Sequence, residues 1–165
     1  MDQFSGGRST ATTGNITQNA ALTVSGTTTL TTSANDATIN LSSISNAFTG
    51  AMTITTNDAS GTDADVTIDG GTTAVNIGAS TSDGDLTVTS GNVSGITDSG
   101  AVTVGGNLVA TTDANNGVID LGTTTVTGTM DLTSHGSGNV TIDNATTDIV
   151  LIASEIGGDL TLTTG

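Results

Sequence analysis

The residues of this chain best equipped for chemistry are its carboxylates. NDASGTDADVTID, residues 57–69, carries Asp58, Asp63, Asp65 and Asp69, and TSDGD at 81–85 adds Asp83 and Asp85. Hard cations take several carboxylate and carbonyl oxygens from flexible loops. Asp58, Asp63, Asp65, Asp83 and Asp85 are therefore the candidate calcium ligands. Two observations weigh against a built site. The calcium-binding nonapeptide pattern of β-roll repeats does not occur, and Asp is also a good corner residue.

Other chemistries find little material. His135 is the only His, it lies in the corner SHGSG, and there is no Cys to join it. A zinc site or a nucleophile–His–acid triad needs more partners than that. Glu155 is the only Glu. Paired Asp residues could in principle cleave glycosides. The basic and aromatic residues that usually line a sugar-cleaving cleft are nearly missing: one Arg, no Trp, no Tyr. Without Lys there is no phosphate-binding loop of the usual kind. The expectation is a non-catalytic protein with no catalytic or cofactor-binding residue, calcium being the one ion to consider.

Threonine offers a different surface. Thr53/Thr55, Thr87/Thr89, Thr123/Thr125, Thr127/Thr129 and Thr161/Thr163 are Thr-x-Thr pairs. Ladders of outward threonines can order water and bind ice if every coil keeps one register. Their spacing drifts along the sequence, so the expectation is that they fall on different strands. Threonine would then serve only as a strand's favoured polar residue.

The elements that must carry these groups follow from composition and period. The 165 residues contain 16 Asp plus Glu, one cation (Arg8) and a net charge of −15. Such a surface repels nucleic acid and anionic membranes. No apolar run is long enough to span a membrane. Two Phe and no other aromatic leave Val, Ile, Leu and Ala to fill a core. These recur in short alternating bursts: Leu22-Thr-Val24, Ile39-Asn-Leu41, Val66-Thr-Ile68, Leu86-Thr-Val88, Val102-Thr-Val104, Val140-Thr-Ile142 and Leu160-Thr-Leu162 among others. Period two predicts strands with one apolar face, and Gly, Asn, Asp and Ser between them predict corners. No stretch shows helical periodicity.

The bursts also repeat at long range. ALTVSGTTTLTT (21–32) returns as AVTVGGNLVATT (101–112), and FTGAMTIT (48–55) returns as VTGTMDLT (126–133). DVTIDGGTTAVNIGAS (65–80) returns as NVTIDNATTDIVLIAS (139–154), and GDLTVTSG (84–91) as GDLTLTTG (158–165). The chain divides into an N-terminal arm, 1–13, and a β-solenoid domain of two copies, 14–90 and 91–165. A burst cannot bury its apolar side alone. Coiling the chain so that bursts stack in parallel buries them all, with about 20 residues per turn and about seven turns.

GNITQNAALTVSGTTTLTT, ANDATINL, NAFTGAMTIT and GNVSGITDSGAVTVGGNL resemble the repeats of the filamentous haemagglutinin-like family of large secreted adhesins. The resemblance implies an all-β fold, a right-handed parallel β-helix, exported to a bacterial surface as an adhesin shaft. The opening residues MDQFSGGRST show neither that family's secretion domain nor the apolar segment of a signal peptide, so the expectation is either a processed or excerpted piece of a longer protein or export by another route.

Gly165 corresponds to Gly91, so Gly165 is expected to stand where another copy would begin. The expected partner is an identical subunit stacked head to tail, with Leu160 and Leu162 on one side of the junction. Phe4 and Arg8 of the arm are expected on the other. The chain reads as an extracellular, cell-surface structural protein, a filament subunit or adhesin shaft. Alternatives are a monomeric adhesin fragment binding a surface or carbohydrate ligand, and an ice-binding or polysaccharide-acting β-helix.

Overall fold

A computed structural model describes residues 3–4, 7–11, 14–59 and 63–165, the first two stretches as backbone. The chain opens with β1 (Gln3–Phe4) and β2 (Gly7–Ala11). Five sets of three follow, the first being β3 (Ile16–Thr17), β4 (Thr23–Val24) and β5 (Thr28–Thr32). Next come β6 (Ile39–Leu41), β7 (Ala47–Phe48) and β8 (Met52–Thr55), then β9 (Val66–Asp69), β10 (Val75–Ile77) and β11 (Ser80–Ser82). After these are β12 (Leu86–Ser90), β13 (Ile96–Asp98) and β14 (Val102–Val104), then β15 (Leu108–Asn115), β16 (Ile119–Leu121) and β17 (Thr124–Val126). The described strands close with β18 (Met130–His135), β19 (Val140–Asp143) and β20 (Leu160–Thr163).

Every strand pairing is parallel, and register partners lie 20 to 27 residues apart. The chain is therefore a parallel β-solenoid with three strands per coil and about seven turns. At the usual strand separation the column is roughly 35 Å long. The first face stacks β3, β6, β9, β12, β15 and β18. The second runs β10, β13, β16, β19 and β20, with β1, β4 and β7 above. The third stacks β2, β5, β8, β11, β14 and β17, and β8 also touches β10 through Met52 and Ile77.

Alternation decides what lies inside. Ile39 and Leu41, Val66 and Ile68, Leu86 and Val88 are buried, while Asn40, Thr67 and Thr87 between them face outward. Stacked in register, the inward residues make one aliphatic core from Ile16 to Ile142, with Phe48 its one large ring among the described residues. Burying these side chains is the main favourable term, because a single coil could not shield them.

The long-range repetition has a structural meaning that the sequence leaves hidden. β4 and β14, β7 and β17, and β9 and β19 are the repeated bursts, each pair ten strands apart. Ten strands are three coils and one face, so the later burst lies on the next face of the column. The local hydrogen bonding is carried over with it. Ser80 Oγ accepts from Ile54 N–H and donates to Gly78 O. Ser154 Oγ accepts from Leu132 N–H and donates to Ile152 O. Thr32 Oγ1 donates to Ala37 O as Thr112 Oγ1 donates to Gly117 O.

One boundary differs from the sequence reading. The backbone of 1–13 does not stand outside the column where it is described. β1 pairs with β4 from Gln3↔Thr23, and β2 pairs with β5 from Gly7↔Thr28 to Ala11↔Thr32. The stretch called an arm contributes the first rung. The apolar alternation that marks most of the other strands is missing from GRSTA, which is why pattern alone set it apart.

Candidate functional site

Several corners of the column are built around one polar residue immediately before a strand. Asp65 Oδ1 accepts the N–H of Asp85 at 2.8 Å, one coil on. Asp85 Oδ1 accepts the N–H of Asn107 at 2.7 Å and its Nδ2 at 3.2 Å. Asn107 Oδ1 then accepts the N–H of Thr129 at 2.9 Å and its hydroxyl at 2.8 Å. The same device appears at the upper end, where Asn15 Oδ1 accepts Thr38 N–H, and at the lower, where Asn139 Oδ1 accepts Asp159 N–H. Each bond satisfies a backbone N–H that a corner would otherwise leave without a strand partner.

The calcium candidates also hold backbone N–H groups in pairs. Asp83 Oδ2 accepts the N–H of Asp58 at 3.1 Å, and Asp65 accepts that of Asp85. Asp63 is exposed. Among the described residues no three His, Cys, Asp or Glu side chains gather as a metal would require. Asp36, not singled out from the sequence, sits with them. A side-chain hydrogen bond with Asp58 raises its pKa above the ordinary carboxylate value, helped by partial desolvation and by the charges of Asp58 and Asp63. The one-coil separation of Asp36 and Asp58 was the signal that could have found it. His135 turns Nδ1 to the Thr112 carbonyl at 2.7 Å, a corner contact, so Nδ1 carries the proton.

The ends of the column are where apolar surface remains. Leu160 is 42 % exposed and Leu162 39 %, although Val140 and Ile142, their register partners one coil above, are fully buried. Val150 and Ile152 of the same last coil are also exposed. Ile44 and Val93 are the other large exposed apolar residues among those described, and each belongs to a corner. β20 pairs with β19 alone. At the other end β1, β2 and β3 each pair on one side only, so Phe4 and Arg8 belong to rungs at the open top. The side-chain roles expected for Phe4 and Arg8 fall outside the described residues.

The threonines are more regular than their sequence spacing suggests. On the third face the register runs Thr10↔Thr31, Thr31↔Thr55, Thr55↔Thr81, Thr81↔Thr103 and Thr103↔Thr125. One threonine per coil therefore occupies the same position, and Thr55, Thr81 and Thr103 are exposed. Full Thr-x-Thr pairs occur at Thr29/Thr31, Thr53/Thr55 and Thr123/Thr125, with Ala79 and Ala101 in the two coils between. Corners of unequal length absorb the drift, so irregular spacing in sequence becomes regular stacking in space. The expectation that these residues scatter is thus corrected for this face. Thr87/Thr89 and Thr161/Thr163 do lie on other faces.

A family model described as repeats of unknown function (DUF5649) matches residues 3–55 and 63–116. The first matched stretch begins at β1, inside the segment set apart as an arm. No curated protein and no solved structure matches the chain.

Proposed function

Because the chain belongs to the family of repeats of unknown function (DUF5649), we propose from its architecture that it is a structural, non-catalytic element of an extracellular shaft or filament. The observation that carries this reading is the contrast between Leu160 and Leu162, exposed on the last rung, and their buried counterparts one coil above. Apolar surface gathered on a strand edge that has only one neighbour suits a further coil stacked on it. The contact would be head to tail, from the upper rungs of an identical subunit, and such contacts propagate into open filaments. A cell-surface location agrees with the lack of Cys and with a single basic residue, which leaves trypsin-like proteases almost nothing to cut. The resemblance to haemagglutinin-like adhesins rests on periodicity and supports a shaft role in that setting.

Negative-stain microscopy and light scattering of the 165-residue chain test this reading. Thin unbranched fibres, growing with concentration, are the expected result. Isolated particles at every concentration would overturn it.

The threonine stack of the third face favours a second reading, a surface that orders water. A repeated hydroxyl and methyl at strand spacing presents a regular lattice to first-shell water. Thermal hysteresis of the chain, lost on Thr81→Tyr, is the result this reading expects. Freezing behaviour no different from a control protein would remove it.

A further inference from the structure

We infer that Gly14 and Asn15 form a seat for Asp159 of a second copy, which sets the register of end-to-end stacking with β3 under β20. This inference rests on the end-to-end reading above and adds its partner residues.

The seat is seen filled inside the column. At Gly106–Asn107 the Asp85 carboxylate takes the N–H and Nδ2 of Asn107. A Cβ on Gly106 would collide with Asp85 Oδ1 and with the backbone of Gly84 and Asp85, so only glycine admits the carboxylate there. Gly14–Asn15 repeats that dipeptide at the open upper end, and Asn15 holds Thr38 as Asn107 holds Thr129. Neither the N–H nor Nδ2 of Asn15 has a partner among the described residues. A Cβ on Gly14 would meet nothing within 4 Å, so no contact among the described residues requires glycine at that position.

The matching half lies at the other end. Gly158-Asp159-Leu160 repeats Gly84-Asp85-Leu86, and Asn139 holds Asp159 N–H as Asp65 holds Asp85 N–H. The Asp159 side chain is exposed and has no partner among the described residues. Donors at one end thus meet an acceptor at the other, and the contact pairs a carboxylate with a neutral amide rather than with another anion. In the internal register Leu86 faces Leu108 and Thr87 faces Val109. The same register places Leu160 against Ile16 and Thr161 against Thr17 of the second copy. Since β20 lies on the second face and β3 on the first, the second copy is turned by one face. The same turn relates the two halves of the chain.

Three variants of the full chain test the seat. Gly14→Ala should leave thermal unfolding of the unassembled chain unchanged and raise the concentration needed for fibres at least tenfold. The chain has no Cys, so the double variant Thr17→Cys and Thr161→Cys should form disulfide-linked multimers. Asn40→Cys with Thr161→Cys, one coil out of register, should not. Fibres that form normally with Gly14→Ala, or that fail to cross-link through 17 and 161, would overturn the seat and leave end-to-end stacking standing. A wild-type chain that forms no fibres would overturn both.

Discussion

Gln18 and Asn46, 28 residues apart in sequence, face each other as a reciprocal amide pair. Gln18 Nε2 donates to Asn46 Oδ1 at 2.8 Å, and Asn46 Nδ2 donates to Gln18 Oε1 at 3.0 Å. Asn46 is buried, and it also holds Leu22 N–H and the carbonyls of Leu41 and Asp69. One side chain thereby ties three successive coils at a corner.

Removing that side chain leaves buried backbone groups without partners, each worth a substantial fraction of a small domain's stability. Asn46→Ala should cost about 2–4 kcal/mol. Urea unfolding followed by circular dichroism should show a lower midpoint with an unchanged slope. A loss under about 0.5 kcal/mol would mean that water replaces the amide at little cost.

Gly106 and Gly14 carry the same motif in different surroundings. Gly106→Ala should destabilise the fold by about 1–3 kcal/mol, since its new methyl must displace the Asp85 carboxylate. Pairing it with Asp85→Ala should recover part of that loss, as expected for neighbours that couple. Thermal melts of the two single variants and the double variant measure the coupling.

Ala145 adopts φ 45°, whereas its counterpart 74 residues earlier, Gly71, sits at φ 58°. The left-handed region is unfavourable for alanine and free for glycine. Ala145→Gly should therefore stabilise the chain by about 1 kcal/mol, or about 2–4 °C in Tm. A lower Tm would show that the lost Cβ packs more than the backbone strains.

Asp36 gives a pH dependence whose sign follows from its neighbours. Its pKa is raised by the hydrogen bond with Asp58 first, then by partial desolvation and the charges of Asp58 and Asp63. The folded chain therefore holds this proton more tightly than the unfolded chain does. The contribution favours folding below the ordinary carboxylate pKa and is lost as pH rises through the raised value. Asp36→Asn removes the titration and suits the local φ of 61°, as its counterpart Asn116 does at 65°. The variant should melt higher than the wild type at about pH 7, with the gain shrinking toward about pH 4. An equal gain at both pH values would assign the whole effect to backbone geometry.

By itself, the sequence determined that the chain is built from parallel strands around an aliphatic core. A burst such as Val66-Thr-Ile68 has one apolar side in any register, and repetition of such bursts leaves stacking as the way to bury them. It also carried the Gly-Asx corners, the long-range duplication and the exposed character of Leu160 and Leu162 as candidates. Only the tertiary structure decided which coil lies on which. That choice depends on corner lengths, which vary from coil to coil and leave no periodic trace in the chain. Hence the copies turned out to be offset by one face, Thr31, Thr55, Thr81, Thr103 and Thr125 came into line, and Gln3–Phe4 and Gly7–Ala11 joined the first rung. The carboxylates show the same division. Their number was legible in the sequence, but only stacking showed that Asp65, Asp83, Asp85 and Asp98 each hold a backbone N–H of a neighbouring coil.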